Sequence, residues 1–129
     1  TPTGATTTNC TYTGKWWRER GAIAGFIKLA YIGATDVVTL TSALPTGVVI
    51  DTTKILTTTA SYGNFGRCIF QNNSAATNYS GNVVYATTTT MRFAGANSNF
   101  AWTNTVPNTI ASGDEIHVFF KFPVSGWKE

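Results

Sequence analysis

The stretch Gly113-Asp114-Glu115-Ile116-His117-Val118-Phe119-Phe120-Lys121-Phe122-Pro123-Val124-Ser125-Gly126-Trp127 decides the fold class. Ile116, Val118, Phe120, Phe122 and Val124 fall on every second position. That is the period of a strand with one face in a core. The other face carries Glu115, His117, Phe119 and Lys121, so Phe119 is a large apolar group aimed away from the core. Trp127, beyond the stiffening Pro123, is expected to pack back over one end of the structure.

Further strands are expected at Lys15–Arg20, Ala22–Ile32, Val37–Ser42, Val48–Asp51, Gly66–Gln71, Asn82–Ala86 and Thr90–Ala94, with the last at Glu115–Val124. Gly, Pro, Asn and Ser clusters separate them. The runs Thr57-Thr58-Thr59 and Thr87-Thr88-Thr89-Thr90 are expected to extend strands, because Thr is β-branched. The pattern gives an all-β chain, an antiparallel β-sandwich of jelly-roll type. Residues 14–129 form the single domain, and residues 1–13 a linker or peripheral first strand. Ala22–Ile32 is apolar on both faces, with Phe26 and Lys28 on the even positions. An antiparallel strand facing water alternates more cleanly. Cover from its own loops or from a neighbouring subunit is therefore expected.

Composition bounds the function. Hydrophobic residues make up 43% of the 129 residues, enough for one core, whereas charged residues are only 12%. The net charge of +3 is small, and only Lys15, Arg18 and Arg20 cluster. Nucleic acid is not expected as a partner, since it needs a basic patch or stripe. No apolar run reaches the roughly 18 residues of a membrane span, so membrane insertion is not expected. The start Thr1-Pro2-Thr3-Gly4-Ala5 has neither a basic segment nor an apolar stretch and does not read as a signal peptide. It lacks an initiator Met, which points to a piece of a longer protein.

No catalytic constellation is expected. Asp114 and Glu115 are adjacent, so on a strand they face opposite ways and cannot flank one glycosidic bond. Asp51 and Asp114 sit where Asp commonly accepts backbone N–H groups in turns. His117 is the sole histidine, and no nucleophile elbow precedes any Ser. No metal site and no cofactor is expected, because neither ligand spacing nor a loop with several acids exists. Cys10 and Cys68 can pair only if the fold brings their Cα atoms within about 7 Å.

Four segments, in order, resemble the β-sandwich modules that close phage tail fibres and tailspikes. They are Lys15-Trp16-Trp17-Arg18-Glu19-Arg20-Gly21, Leu44-Pro45-Thr46-Gly47-Val48-Val49-Ile50-Asp51-Thr52-Thr53-Lys54, Trp102-Thr103-Asn104-Thr105-Val106-Pro107, and Ser112-Gly113-Asp114 running on to Pro123-Val124-Ser125-Gly126-Trp127. The segment Thr57–Ala101 has no counterpart in the resemblance. The resemblance implies a C1q/TNF-like jelly roll that forms a homotrimer on a virion. It also implies assembly in the host cytoplasm and contact with bacterial surface polysaccharide or lipopolysaccharide.

Phe26, Lys28, His117 and Phe119 are the residues expected at the subunit contact. Glycan contact is expected from Asn72, Asn73, Tyr79, Asn97, Asn99, Trp102 and Asn104, on loops between strands. Their amides suit sugar hydroxyls, and their aromatic rings suit sugar C–H faces. Two other readings stand beside this one. The domain is a structural trimerisation cap without its own ligand, or it is an enzyme acting on polysaccharide.

Overall fold

A computed structural model describes residues 2–3, 9–34, 39–59, 64–95 and 98–128, with the backbone alone for 2–3 and 98–100. The strands are β1 (Pro2–Thr3), β2 (Cys10–Glu19), β3 (Ala22–Tyr31), β4 (Thr41–Ala43), β5 (Gly66–Asn72), β6 (Thr77–Thr87), β7 (Thr90–Gly95), β8 (Ser98–Ala101) and β9 (Glu115–Pro123). Among the described residues the only helical piece is a single 3-10 turn, Thr52–Lys54. All pairings are antiparallel and the order is β1-β4-β7-β6-β5-β9-β3-β2, with β8 added on β7.

β5, β6 and β7 run as a meander, and β9 returns to lie beside β5. This is the Greek-key order on which jelly rolls are built. The sheet curls so that its inner faces enclose one core, an antiparallel β-sandwich of jelly-roll type.

β9 behaves as its alternation predicts. Ile116, Val118, Phe120, Phe122 and Val124 are buried, and Phe119 is not. β9 lies between β3 and β5, in the middle of the sheet. Trp127 packs against the core and the Arg18 guanidinium lies 4.9 Å above its ring. Trp102, Tyr31, Phe70 and Phe93 complete the interior. Gly81 is required there: a Cβ would come within 2.5 Å of the Ala94 carbonyl and 2.7 Å of the Trp102 ring. Burial pushes the Cys68 thiol up to about 12. Cys10 and Cys68 are both buried and free.

Several expected elements differ. β2 starts at Cys10, so Cys10–Thr13, expected as part of a linker or peripheral first strand, pair with β3 at the edge of the sheet. The strand expected at Val37–Ser42 is Thr41–Ala43; residues 37 and 38 lie outside the described residues. Val48–Asp51 forms only an isolated bridge, Ile50 to Val124. Its apolar residues Val48 and Ile50 are buried by packing, without a ladder.

Thr57–Thr59 is not a strand; Thr57 Oγ1 accepts the Thr59 N–H at 2.9 Å instead. Thr87–Thr90 closes the β6–β7 hairpin, with the Thr87 and Thr90 hydroxyls 2.6 Å apart. The Asn-rich segment around Phe100 contains β8, although Asn is a poor strand former.

Candidate functional site

Alternation along four neighbouring strands gathers one set of side chains on the outer face of the sandwich. β2 contributes Thr13, Lys15 and Trp17, β3 contributes Phe26 and Lys28, β9 contributes His117 and Phe119, and β5 contributes Arg67 and Ile69. The register aligns them. Lys15 is opposite Phe26, Phe26 opposite Phe119, and Phe119 opposite Arg67. One row across the sheet therefore reads cation, ring, ring, cation. The neighbouring row is Thr13, Lys28, His117, Ile69.

These two rows line a groove of about 510 Å³. Phe26 is 55% exposed and Phe119 38%. Their ring centroids are 5.4 Å apart, and Trp17 lies 5.4 Å from Phe26 on the other side. Isolated exposed apolar residues are ordinary on a protein surface, whereas a contiguous aromatic patch marks an interaction site.

The charges around the groove are uneven. Among the described residues no carboxylate lines it. Glu115, just outside, is 3.2 Å from Lys28 Nζ and 3.2 Å from His117 Nε2. The His117 hydrogen bond, then Lys28, hold its carboxyl below the usual range. Lys121 Nζ donates to Glu19 at 2.8 Å, which lowers the Glu19 carboxyl likewise. Among the described residues, neither Lys15 nor Arg67 has an ion pair or a side-chain hydrogen bond. The arrangement offers flat apolar surface between two uncommitted cations.

All four residues expected at a subunit contact, Phe26, Lys28, His117 and Phe119, come together in this groove. Of the seven expected glycan residues, the five whose side chains are described do not converge. Trp102 is fully buried, with its indole N–H donating to the Gly95 carbonyl at 3.3 Å. It cannot touch a surface ligand. Asn72 is 4% exposed, and its Oδ1 accepts from the Ser74 hydroxyl at 2.9 Å and the Ala75 N–H at 3.2 Å. It holds the β5–β6 turn.

Tyr79 packs on the core, 6.1 Å from Phe70, which also meets Trp102 at 6.3 Å. Asn73 is exposed, and Asn104 is half-buried with its carbonyl accepting the Ile110 N–H. Asn97 and the Asn99 side chain lie outside the described residues. Nor are these positions all between strands: Asn72 ends β5, Tyr79 is within β6 and Asn99 within β8.

The acids in turns do structural work. Asp114 is buried and accepts the Asn73 N–H at 2.9 Å and the Ala111 N–H at 2.8 Å. Asp51 accepts the Thr53 N–H and hydroxyl at 3.1 and 2.6 Å. Among the described residues no three of His, Cys, Asp and Glu come together. A second, smaller cleft of about 290 Å³ separates Tyr12 and Trp16, on the inner side of β2, from Ala43–Thr46.

Nothing in the sequence alone places Lys15, Trp17, Arg67 or Ile69 at a site. The available signal was the basic and aromatic opening of β2. Its significance rests on register with β3, β9 and β5. No family model, curated protein or solved structure matches this chain.

Proposed function

We propose that this chain is a non-catalytic binding module, the closing β-sandwich of a phage tail fibre or tailspike. It assembles as a homotrimer and holds bacterial surface glycan in the outer-face groove. The observation that carries the reading is the row Lys15, Phe26, Phe119, Arg67, with its exposed rings and uncommitted cations. Rings of this kind take sugar C–H faces, and directed polar groups at the rim fix orientation. The resemblance of four segments to fibre modules supplies the biological setting. The antiparallel β-sandwich is compatible with it, although fold alone does not fix function. Each site is shallow, so affinity falls between millimolar and micromolar, and three copies on one fibre raise it by avidity.

A second reading is favoured by the contiguous Trp17, Phe26 and Phe119 rings. Here the same face is buried between copies and the module is a trimerisation cap. One experiment separates the two. The double variant Phe26→Ala/Phe119→Ala is measured by light scattering and by binding to a panel of purified bacterial capsular and lipopolysaccharides. The binding reading expects a folded trimer, as in the parent, that has lost polysaccharide. A folded variant that falls to monomer supports the cap. A parent that is monomeric and binds nothing on the panel removes both.

A further inference from the structure

We infer that the groove selects acidic glycan, and that its preferred ligand is a linear oligosaccharide with carboxylates on rings separated by an intervening apolar platform. This rests on the glycan-binding reading and specifies the ligand of the same groove.

The geometry of one row carries the inference. Lys15, Phe26, Phe119 and Arg67 are direct register partners on β2, β3, β9 and β5. Neighbouring strands lie about 4.8 Å apart, so the two cationic positions are separated by about 14 Å of sheet. Between them stand two partly exposed rings with centroids 5.4 Å apart. A single small anion reaches one cation and leaves the rings bare. A neutral sugar covers the rings and leaves both cations idle. A chain laid across the strands, with an acidic group toward each end, uses all four residues.

Charge complementarity points the same way. The groove is lined by Lys15, Lys28, Arg67 and His117 and, among the described residues, by no carboxylate. Glu115, just outside it, already bonds Lys28 and His117, and Glu19 already bonds Lys121. Lys15 and Arg67 therefore remain for a ligand. Arg67 presents the planar fork that pairs a carboxylate through two parallel N–H donors, and Lys15 supplies a point charge at the far end. The cations also oppose a second copy seated face to face, since that would set identical charges against one another.

The test uses the full chain and matched pairs of probes. Trisaccharides of glucuronate, galacturonate and mannuronate are titrated beside the same sugars with their carboxyls reduced to alcohols. At least one acidic member should bind at least about tenfold tighter than its reduced partner, the scale of a charge-assisted pair. Its affinity should fall as salt rises from about 0.05 to about 0.5 M, as screening requires. Lys15→Gln and Arg67→Gln should each weaken the acidic probe about five- to tenfold and the reduced sugar by distinctly less. Phe119→Ala should weaken both members of a pair.

Equal binding of both members, with Lys15→Gln and Arg67→Gln silent, overturns acid selection while the glycan reading stands. Binding of neither member, in any pair, overturns this inference too. The polysaccharide panel then decides separately whether the groove takes glycan at all. A change of oligomeric mass in Lys15→Gln or Arg67→Gln, without a change in probe binding, assigns the groove to a subunit contact.

Discussion

Phe26 and Phe119 stand in the groove with much of their ring surface open, whereas Trp102 and Asn72, in the amide-rich half, are closed to solvent. Both regions mix aromatic and polar side chains. In the amide-rich half the Asn72 Oδ1, the Asp114 carboxylate and the Trp102 indole N–H are each committed. The Asn72 amide holds a turn, the Asp114 carboxylate ties that turn to the segment before β9, and the Trp102 indole meets the Gly95 carbonyl. In the groove Lys15 and Arg67 have no ion pair or side-chain hydrogen bond among the described residues. Residue type alone does not separate the two regions; unspent hydrogen-bonding capacity beside exposed rings does, and it is why the groove is the proposed binding surface.

The contrast breaks first on stability. Trp102→Ala should cost about 3–5 kcal/mol, the range for emptying a large aromatic from a core, and lower the melting temperature by roughly 10 °C or more. A variant melting within a degree or two of the parent would place Trp102 at the surface and return it to the candidate ligand contacts.

That residue also shows what the sequence made legible. The alternation of Ile116 to Val124 assigned the β9 core and the outward Phe119 without any partner in view. The two-sided apolar pattern of β3 instead led to an expectation of cover, whereas Phe26 is exposed and the chain's own described loops do not cover it. Trp102 was misread because its neighbours are amides. Its burial depends on Gly81 and Phe70, which are distant in sequence. Asn72 was misread for a related reason: the same amide serves a turn or a ligand, and only its partners decide. The cation, ring, ring, cation row was out of reach, because pairing register is a property of the assembled sheet.

Asp114 sharpens the comparison at the next scale. Asp114→Ala leaves the Asn73 and Ala111 N–H groups without an acceptor in a buried site. The expected loss is about 2–3 kcal/mol. Asp114→Asn keeps one acceptor oxygen and should recover part of it. Chemical denaturation of the two variants checks this. Equal stability of the Ala variant and the parent would mean that the turn before β9 is held by other groups.

Phe119→Ala should behave in the opposite way. Its ring sits on the outer face with Phe26 and Arg67 as neighbours, and its removal opens no core cavity. Stability should change by less than about 1 kcal/mol, as for other surface positions, while glycan binding falls. A loss on the scale of Trp102→Ala would show that the groove is part of the packed structure and would erase the distinction between the two regions.

The smallest effect belongs to Glu115, the acid beside the groove. The His117 hydrogen bond and Lys28 hold its folded-state carboxyl below the usual carboxylate range. A depressed carboxyl contributes stability above its unfolded pKa, and the contribution fades as pH falls through the folded value. The parent should therefore exceed Glu115→Gln in stability at pH 7 and lose that margin on acidification below about pH 4.3. The partners are solvent-exposed, so the margin stays under about 1 kcal/mol and shrinks in salt. Binding should move the other way. Glu115→Gln releases Lys28 and His117 and removes the nearest negative charge, so acidic oligosaccharide should bind the variant a few-fold tighter at pH 7. Thermal melts across pH and titrations at neutral pH read the two effects separately. A variant that is both as stable as the parent and no tighter for the acidic probe would show that Glu115 restrains neither the sheet nor the cations of the groove.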